Sequence, residues 1–162
     1  MQLRDAVPDD AMDVARVHVR AWQQGFKDLL PATYLATLDP AERAARYTFG
    51  ITDGSRPRTI VALEGGAIRG FTTIGLYEDE ALLHALYVDP DAWGTGLGRA
   101  LIAEARKDLR SFGRSSAILW SMVGNTRADR FYLADGWVGE GEHRVEDVWG
   151  TPVTQQRYRR LL

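Results

Sequence analysis

Residues 88–99 read Val88-Asp89-Pro90-Asp91-Ala92-Trp93-Gly94-Thr95-Gly96-Leu97-Gly98-Arg99. The apolar run before this stretch predicts a strand, and the periodic apolar run after it predicts a helix. The three alternating glycines let the backbone approach a ligand closely, and the N–H groups at the start of the helix point outward. Together with the helix dipole, these donors favour a phosphate or pyrophosphate. The stretch is therefore predicted to bind a phosphorylated ligand, with Arg99 adding a positive charge nearby.

Two well-known phosphate-binding loops do not fit this stretch. A Walker loop ends in Gly-Lys-Ser/Thr, whereas Gly98 is followed by Arg99 and Ala100. A dinucleotide fingerprint needs a third glycine where Arg99 stands, and an acidic residue in the following strand. No Asp or Glu occurs over 117–124, where that strand is expected. ATP and dinucleotide binding are therefore disfavoured, though they remain as a third hypothesis.

Outward from the loop, the pattern alternates between strands and helices. The helix after the loop places Leu97, Leu101, Ala105 and Leu109 on one face. Gly65 and Gly66 supply the tight turn of a hairpin. The predicted order is a strand over 1–7, helices from Pro8 onward, over 31–38 and over 41–49, strands over 59–64, 67–77 and 81–88, a helix over 96–112, a strand over 115–121, a helix over 125–135, and strands over 141–148 and 153–161. This mixture predicts an α/β protein with one domain over 1–162.

Composition narrows the class of protein further. The 162 residues carry a net charge of −2, which argues against non-specific nucleic-acid binding. There is no cysteine, so disulfides, thiolate metal sites and cysteine nucleophiles are excluded, and no metal is expected. Neither a signal peptide nor a long apolar run is present, so a cytoplasmic protein without a membrane partner is the simplest interpretation.

Two motifs together resemble the GNAT N-acetyltransferase superfamily, and the resemblance runs over nearly the whole chain. The family signature Arg/Gln-x-x-Gly-x-Gly/Ala aligns with residues 93–98, with Trp93 in place of the usual Arg or Gln. The preceding Leu86-Tyr87-Val88-Asp89-Pro90 is also similar to the family. A helix and a strand later comes the second motif, Asn125-x-x-Ala128-x-x-Phe131-Tyr132-x-x-x-Gly136-Trp137.

The resemblance implies a mixed, mostly antiparallel central sheet with helices on both faces. The sheet would be splayed between the strands before and after the cofactor-loop helix, and the pantetheine arm of acetyl-CoA would lie in the gap. Asn125 would contact acetyl-CoA near its thioester, and Tyr132 would act as the general acid that protonates the departing thiolate. The implied cofactor-binding backbone comprises Leu86, Tyr87 and Val88 for the pantetheine and Gly94, Thr95, Gly96, Leu97, Gly98 and Arg99 for the pyrophosphate.

The identity of the general base stays open. A lysine-like amine is neutral for only about 1 part in 2000 at pH 7, so a base is useful. Many family members carry a glutamate where this chain has Leu82. Glu80 and His84 flank that position on the same face of a strand, and His84 is favoured because its ordinary pKa lies near neutrality. A water chain, or no protein base, is equally compatible.

The predicted function is acetyl transfer from acetyl-CoA to a primary amine, by direct attack. Trp22, Tyr34 and Trp120 are candidates for an aromatic acceptor pocket, which favours a small molecule, although large aromatics are mostly core. His18, on an apolar helical face, is expected to be a core histidine. The alternatives are a peptide or protein amine as acceptor, and a non-catalytic acyl-CoA-binding or sensing module, which the absent glutamate at Leu82 suggests. The resemblance also implies self-association as a homodimer.

Overall fold

The apolar strands assemble into one seven-stranded sheet in a computed structural model that describes residues 1–162. The sheet order is β1-β2-β3-β4-β5-β7-β6. In chain order the elements are β1 (Gln2–Asp5), a 3-10 turn (Pro8–Asp10), α1 (Ala11–Gly25), α2 (Ala32–Leu35), α3 (Pro40–Ala44), β2 (Arg58–Glu64), β3 (Ala67–Tyr77), β4 (Glu80–Val88), a 3-10 turn (Pro90–Ala92), α4 (Leu97–Arg110), β5 (Ser116–Met122), α5 (Thr126–Ala134), β6 (Val138–Val148) and β7 (Thr151–Leu161).

Helices cover both faces of this sheet because the central strands are apolar on both sides. On one face, α1 packs Val14 and Val17 against Val61 of β2. On the other face, α4 packs Leu101 against Ala62, the next residue of β2. Successive side chains of a strand point to opposite faces, so neighbouring residues serve the two helical layers. The predicted mixed α/β fold, with helices on both faces, is confirmed.

The sheet splits in its middle, between β4 and β5. All neighbouring strands are antiparallel except this parallel pair, which is joined only from Ala81 and Ala117 to Leu83 and Leu119. Beyond Leu83 the two strands separate. The predicted splay therefore exists, and it opens the sheet directly below the glycine loop that follows β4.

Several predicted boundaries were wrong. The helix predicted over 31–38 is the single turn α2, and the helix predicted over 41–49 ends at Ala44. The chain leaves the helix there because Tyr47 turns inward to bond His18, and Phe49 stacks on Tyr47 with ring centroids 4.7 Å apart. The last hairpin starts at Val138, before the predicted 141, because a bulge restores its register. None of the helices is both long and apolar enough to cross a bilayer.

Candidate functional site

The gap between β4 and β5 widens into a cavity of about 620 Å³. This volume lies within the range of about 300–1,000 Å³ that is usual for small-molecule sites. The separated strand ends, His84–Val88 and Trp120–Met122, line its middle. Gly98 and Asn125 line one end, and α1 with the segment after it lines the other. One cavity thus joins the glycine loop to the aromatic residues of α1.

The glycine loop at one end presents free backbone donors. Gly94 and Gly96 have φ angles of 77° and 90°, in the left-handed region that favours glycine. No atom lies within 4 Å of where a Cβ would stand at either glycine, so the space in front of the loop is open. The N–H groups of residues 94–99 donate no hydrogen bond within the protein. A row of free N–H groups at the start of α4 fits a pyrophosphate.

Trp93 occupies the position where the family usually has Arg or Gln, so the loop lacks that polar side chain. Contacts of Trp93 with its neighbours make up for part of this loss. Its indole Nε1 donates to the carbonyl of Val88 at 2.9 Å, which ties the loop to the end of β4. The guanidinium of Arg127, from the first turn of α5, lies over the Trp93 ring. Arg127 could not be found from the sequence alone, because it occupies a variable position of the second motif. A cation is therefore supplied to the loop from another element.

Five of the predicted cofactor residues line the cavity: Leu86, Tyr87, Val88, Gly98 and Asn125. The other five do not line it: Gly94, Thr95, Gly96, Leu97 and Arg99. Leu86, Tyr87 and Val88 form its wall beyond the point where β4 and β5 separate. Asn125 lines the cavity and also caps α5, because its side-chain oxygen accepts the N–H of Ala128 at 3.3 Å. The cap leaves the amide nitrogen of Asn125 free for a ligand.

Tyr132 reaches the cavity from α5. The residue is only 9% exposed, and its ring packs against Trp137 and Tyr158. Its hydroxyl makes no hydrogen bond within the protein, whereas the Tyr158 hydroxyl donates to Asp129 at 2.9 Å. Burial raises the pKa of Tyr132, and the nearby Tyr87, Asp129 and Tyr158 raise it further. The phenol is therefore neutral near pH 7, with its O–H available to a ligand.

The structure separates the two candidate bases. The register of β4 against β3 slips between Leu83 and Ala85, so His84 occupies a bulge and lines the cavity. His84 is exposed at the mouth of the cavity, and partial desolvation of its ring lowers its pKa below the ordinary 6.5. Glu80 does not line the cavity and instead pairs with Arg159 at 3.3 Å. The geometry brings His84, and not Glu80, to the site.

No carboxylate replaces the family's glutamate. Leu82 is 8% exposed, and no Asp or Glu lines the cavity. The charged residues on the wall are the arginines Arg43, Arg46 and Arg127. Any protein base in this cavity must therefore be a histidine, and the electrostatic character of the wall is positive.

Two of the three aromatic residues predicted for the acceptor pocket lie at the cavity, and the third does not. Trp22 and Trp120 line the cavity, and Tyr34 does not. The Tyr34 hydroxyl donates to the carbonyl of Trp149 at 2.6 Å. Tyr34 therefore supports the turn between β6 and β7. His18 is buried against aromatic rings, as expected of a core histidine, although it also lines the cavity.

Comparison with known proteins agrees with this geometry. The family described as "Acetyltransferase (GNAT) family" matches residues 20–137, more than half of the chain. The uncharacterized N-acetyltransferase YuaI of Bacillus subtilis is 28% identical over 128 residues, which cover 76% of this chain and 72% of YuaI.

Solved structures share the fold over the full length. A GCN5-related N-acetyltransferase from Rhodopseudomonas palustris superposes with a TM-score of 0.79 at 23% identity, over 99% of this chain and 95% of that one. The PaiA N-acetyltransferase of Thermoplasma acidophilum, solved in complex with coenzyme A, gives 0.74 at 17% identity, over 99% and 98%. The predicted class, an acyl-CoA-dependent acetyltransferase, is thereby confirmed, and the chain belongs to the GNAT acetyltransferase family.

Proposed function

We propose that the protein transfers an acetyl group from acetyl-CoA to the primary amine of a small molecule. The observation that carries this proposal is one cavity that is lined by Gly98 of the glycine loop as well as by Tyr132 and His84. The free N–H groups of residues 94–99 stand at the Gly98 end of this cavity. The loop suits a pyrophosphate, and the two side chains suit proton transfers. Acetyl-CoA would supply the acyl group as an activated thioester.

The protein's residues divide into binding and chemical roles. The amides of residues 94–99 hold the pyrophosphate, and Arg127 adds a cation beside them. Leu86–Val88 offer backbone groups to the pantetheine, because the edge of β4 that faces β5 is unpaired there, while the other edge pairs with β3. The Asn125 amide can reach the same arm near its thioester. Held in this way, the thioester would lie in the cavity that His84 and Tyr132 also line.

Proton transfer uses the two groups in opposite directions. His84 has a lowered pKa, so it is neutral at pH 7 and can accept a proton from the incoming ammonium. Tyr132 has a raised pKa and keeps its proton until a strongly basic sulfur leaves. The neutral amine would then form the C–N bond as the C–S bond of the thioester breaks, and the Tyr132 O–H would protonate the departing sulfur. The extra proton on the attacking nitrogen would be lost to solvent, from which the tyrosinate would be reprotonated. No carboxylate is needed in this scheme.

A small acceptor is favoured because large aromatic side chains line the acceptor end. Trp22, Phe26 and Phe71 contribute them. A peptide amine is the alternative acceptor. A second candidate function, a non-catalytic acyl-CoA sensor, is supported by the buried Leu82 and the absence of any carboxylate from the cavity. Self-association remains a prediction.

The first test is thermal unfolding with and without acetyl-CoA, with ATP and NADH as controls. A ligand at about 100 times its Kd stabilises by about 2.7 kcal/mol, or about 5–10 °C for a domain of this size. Only acetyl-CoA should shift the midpoint. An amine panel, followed by release of free CoA, then separates an enzyme from a sensor, and the cysteine-free chain adds no background.

The acid role is tested with two phenylalanine variants. Tyr132→Phe should lower kcat by about 10²-fold or more and leave the acetyl-CoA shift intact. Tyr158→Phe removes a hydroxyl that is already bonded to Asp129, so it should cost stability but little turnover. Equal turnover in wild type and Tyr132→Phe would overturn the acid assignment.

A further inference from the structure

Two buried hydrogen-bond donors in this protein have no acceptor. Among all buried side-chain nitrogen and oxygen atoms, only Trp22 Nε1 and Arg43 Nε lack a partner. Both residues line the same cavity. The Tyr87 hydroxyl lies near the Trp22 indole, but the two are not aligned as a hydrogen bond. Because an unmet buried donor is costly, two of them on one wall indicate a place for a ligand that accepts hydrogen bonds.

Arg43 also lacks a counter-ion. No carboxylate lies within ion-pair distance of its guanidinium, since the neighbouring Glu42 is bound by Arg46 and by the Trp149 indole. Burial makes the charged form less favourable and lowers the pKa of Arg43, although a guanidinium stays protonated at neutral pH. A partly buried, unpaired cation destabilises a fold unless something else compensates for it.

The guanidinium is nonetheless held in place. Its Cζ lies 3.9 Å from the centroid of the Trp149 ring. Trp149 has a φ of 55°, which bulky residues adopt only when their surroundings enforce it. Its indole donates to Glu42 at 3.1 Å, and its carbonyl accepts from Tyr34 at 2.6 Å. Trp149, at the tip of the hairpin between β6 and β7, therefore holds the Arg43 guanidinium in place. The Trp22 ring packs against the Trp149 ring, with centroids 5.0 Å apart.

The charge of the cavity also favours a ligand that carries a negative group. Its charged side chains are arginines, with no Asp or Glu among the lining residues. A simple ammonium would find no opposite charge on this wall, and the positive field would oppose its entry. An amine that also carries an anionic group would enter as a neutral or negative species and would satisfy the free donors.

We infer that the amine substrate carries an oxyanion, such as a carboxylate or a phosphonate, and that the guanidinium of Arg43 binds this group together with the indole N–H of Trp22. The inference rests on the proposed acetyl transfer and specifies its substrate class. A planar guanidinium can offer two parallel N–H donors to an oxyanion, which fixes the orientation of the bound molecule as well as its charge. The α-amino acids and their phosphonic analogues are the simplest molecules of this class.

The test is a matched amine panel with wild type and Arg43 variants. Each set comprises an α-amino acid, its aminophosphonic analogue, its carboxamide and the corresponding amine without the anion. Wild type should prefer the anionic members by about 10- to 100-fold in kcat/KM, and the two anions distinguish a carboxylate site from a phosphonate site. Arg43→Met keeps the apolar stem and should abolish the preference mainly through KM. The uncharged amines should be unaffected or improved.

Further variants separate binding from folding. Arg43→Lys keeps the charge without the planar fork and should restore part of the preference. Trp22→Phe removes the second donor and should weaken the preference less. Arg16→Gln removes an exposed cation of α1 that is paired with Asp13, so its acceptor preference should equal that of wild type. Calorimetric titration of the anionic amines into the protein with bound CoA measures affinity without turnover, and Arg43→Met should abolish that binding.

Failure of the inference differs from failure of the proposed function. If acetyl-CoA binds, uncharged amines are acetylated as well as anionic ones and Arg43→Met changes nothing, the oxyanion site is refuted and acetyl transfer stands. If acetyl-CoA neither stabilises the protein nor supports transfer, the proposed function fails. Anionic amines that then bind to wild type and not to Arg43→Met would still support the oxyanion site, and absence of that binding would refute it.

Discussion

The guanidinium carbon of Arg127 lies 3.5 Å from the centroid of the Trp93 ring. Through this stacking, α5 places a positive charge at the glycine loop, at the position where the loop itself has an indole. We expect Arg127→Gln to weaken acetyl-CoA binding by about 3- to 10-fold, the magnitude of a partly exposed charged contact to phosphate. Calorimetric titration of acetyl-CoA measures the Kd, and the difference should shrink at high salt, which screens exposed charges.

Arg130 provides the matched control on the same helix. Arg130→Gln makes the same change of charge at an exposed position that does not line the cavity. Its Kd for acetyl-CoA should stay within twofold of wild type. Equal weakening in both variants would mean that only net charge matters, and the assignment of Arg127 to the phosphate end would be refuted.

The open space in front of Gly96 leads to a second prediction. Gly96→Ala places a methyl group where the pyrophosphate would lie, at a φ of 90°. The left-handed backbone should cost about 1–2 kcal/mol of unfolding free energy, and acetyl-CoA binding should be largely lost. Gly54→Ala is the control, because Gly54 has a φ of 84° and equally open surroundings but does not line the cavity or belong to the glycine loop. Both variants should lose similar stability in thermal unfolding, and only Gly96→Ala should lose the acetyl-CoA shift.

The variants His84→Gln and Glu80→Gln are expected to differ in how their kcat/KM depends on pH. His84→Gln should lower kcat/KM by about 10²-fold at neutral pH. Protonated His84 cannot accept a proton, so wild type should lose this advantage as the pH falls through the lowered pKa, which lies below 6.5. The ratio of wild-type to His84→Gln kcat/KM should therefore approach one in acid. Glu80→Gln should leave the profile unchanged, because Glu80 pairs with Arg159 outside the cavity. A constant ratio across pH would exclude His84 as the base.

His18 makes stability depend on pH. Burial, and then the nearby Arg43, lower its pKa from 6.5 to about 3, while Tyr47 and Tyr87 pack against its ring. Below pH 6.5 the unfolded chain therefore binds a proton that the folded protein excludes, and this stability is lost as the pH falls from 6.5 toward 3. Relative to His18→Phe, wild type should lose about 2–3 kcal/mol between pH 7.5 and 4.5. Urea unfolding of both proteins at the two pH values measures this difference, and parallel pH dependence would contradict the neutral buried state.

The sequence by itself determined the order of strands and helices and the glycine-rich turn between β4 and α4. These features depend on local patterns: the apolar runs of β3 and β4, the apolar face of α4, and glycines that permit a positive φ at residues 94 and 96. Strong local periodicity survives folding because tertiary packing reinforces it. The weak elements were misjudged: the helix predicted to reach residue 49 ends at Ala44, where contacts of Tyr47 and Phe49 outweigh helical propensity.

Only the tertiary structure decided which side chains share the cavity. His84 and Glu80 are four residues apart on one strand, yet their surroundings differ. His84 sits in a bulge and lines the cavity, whereas Glu80 pairs with Arg159 outside it. The position of the Arg43 guanidinium depends on Trp149, because the hairpin between β6 and β7 brings the Trp149 ring against α3. A sequence records the charge of an arginine but not its partners. Whether that charge is paired, buried or free for a ligand depends on distances that exist only after the chain has packed.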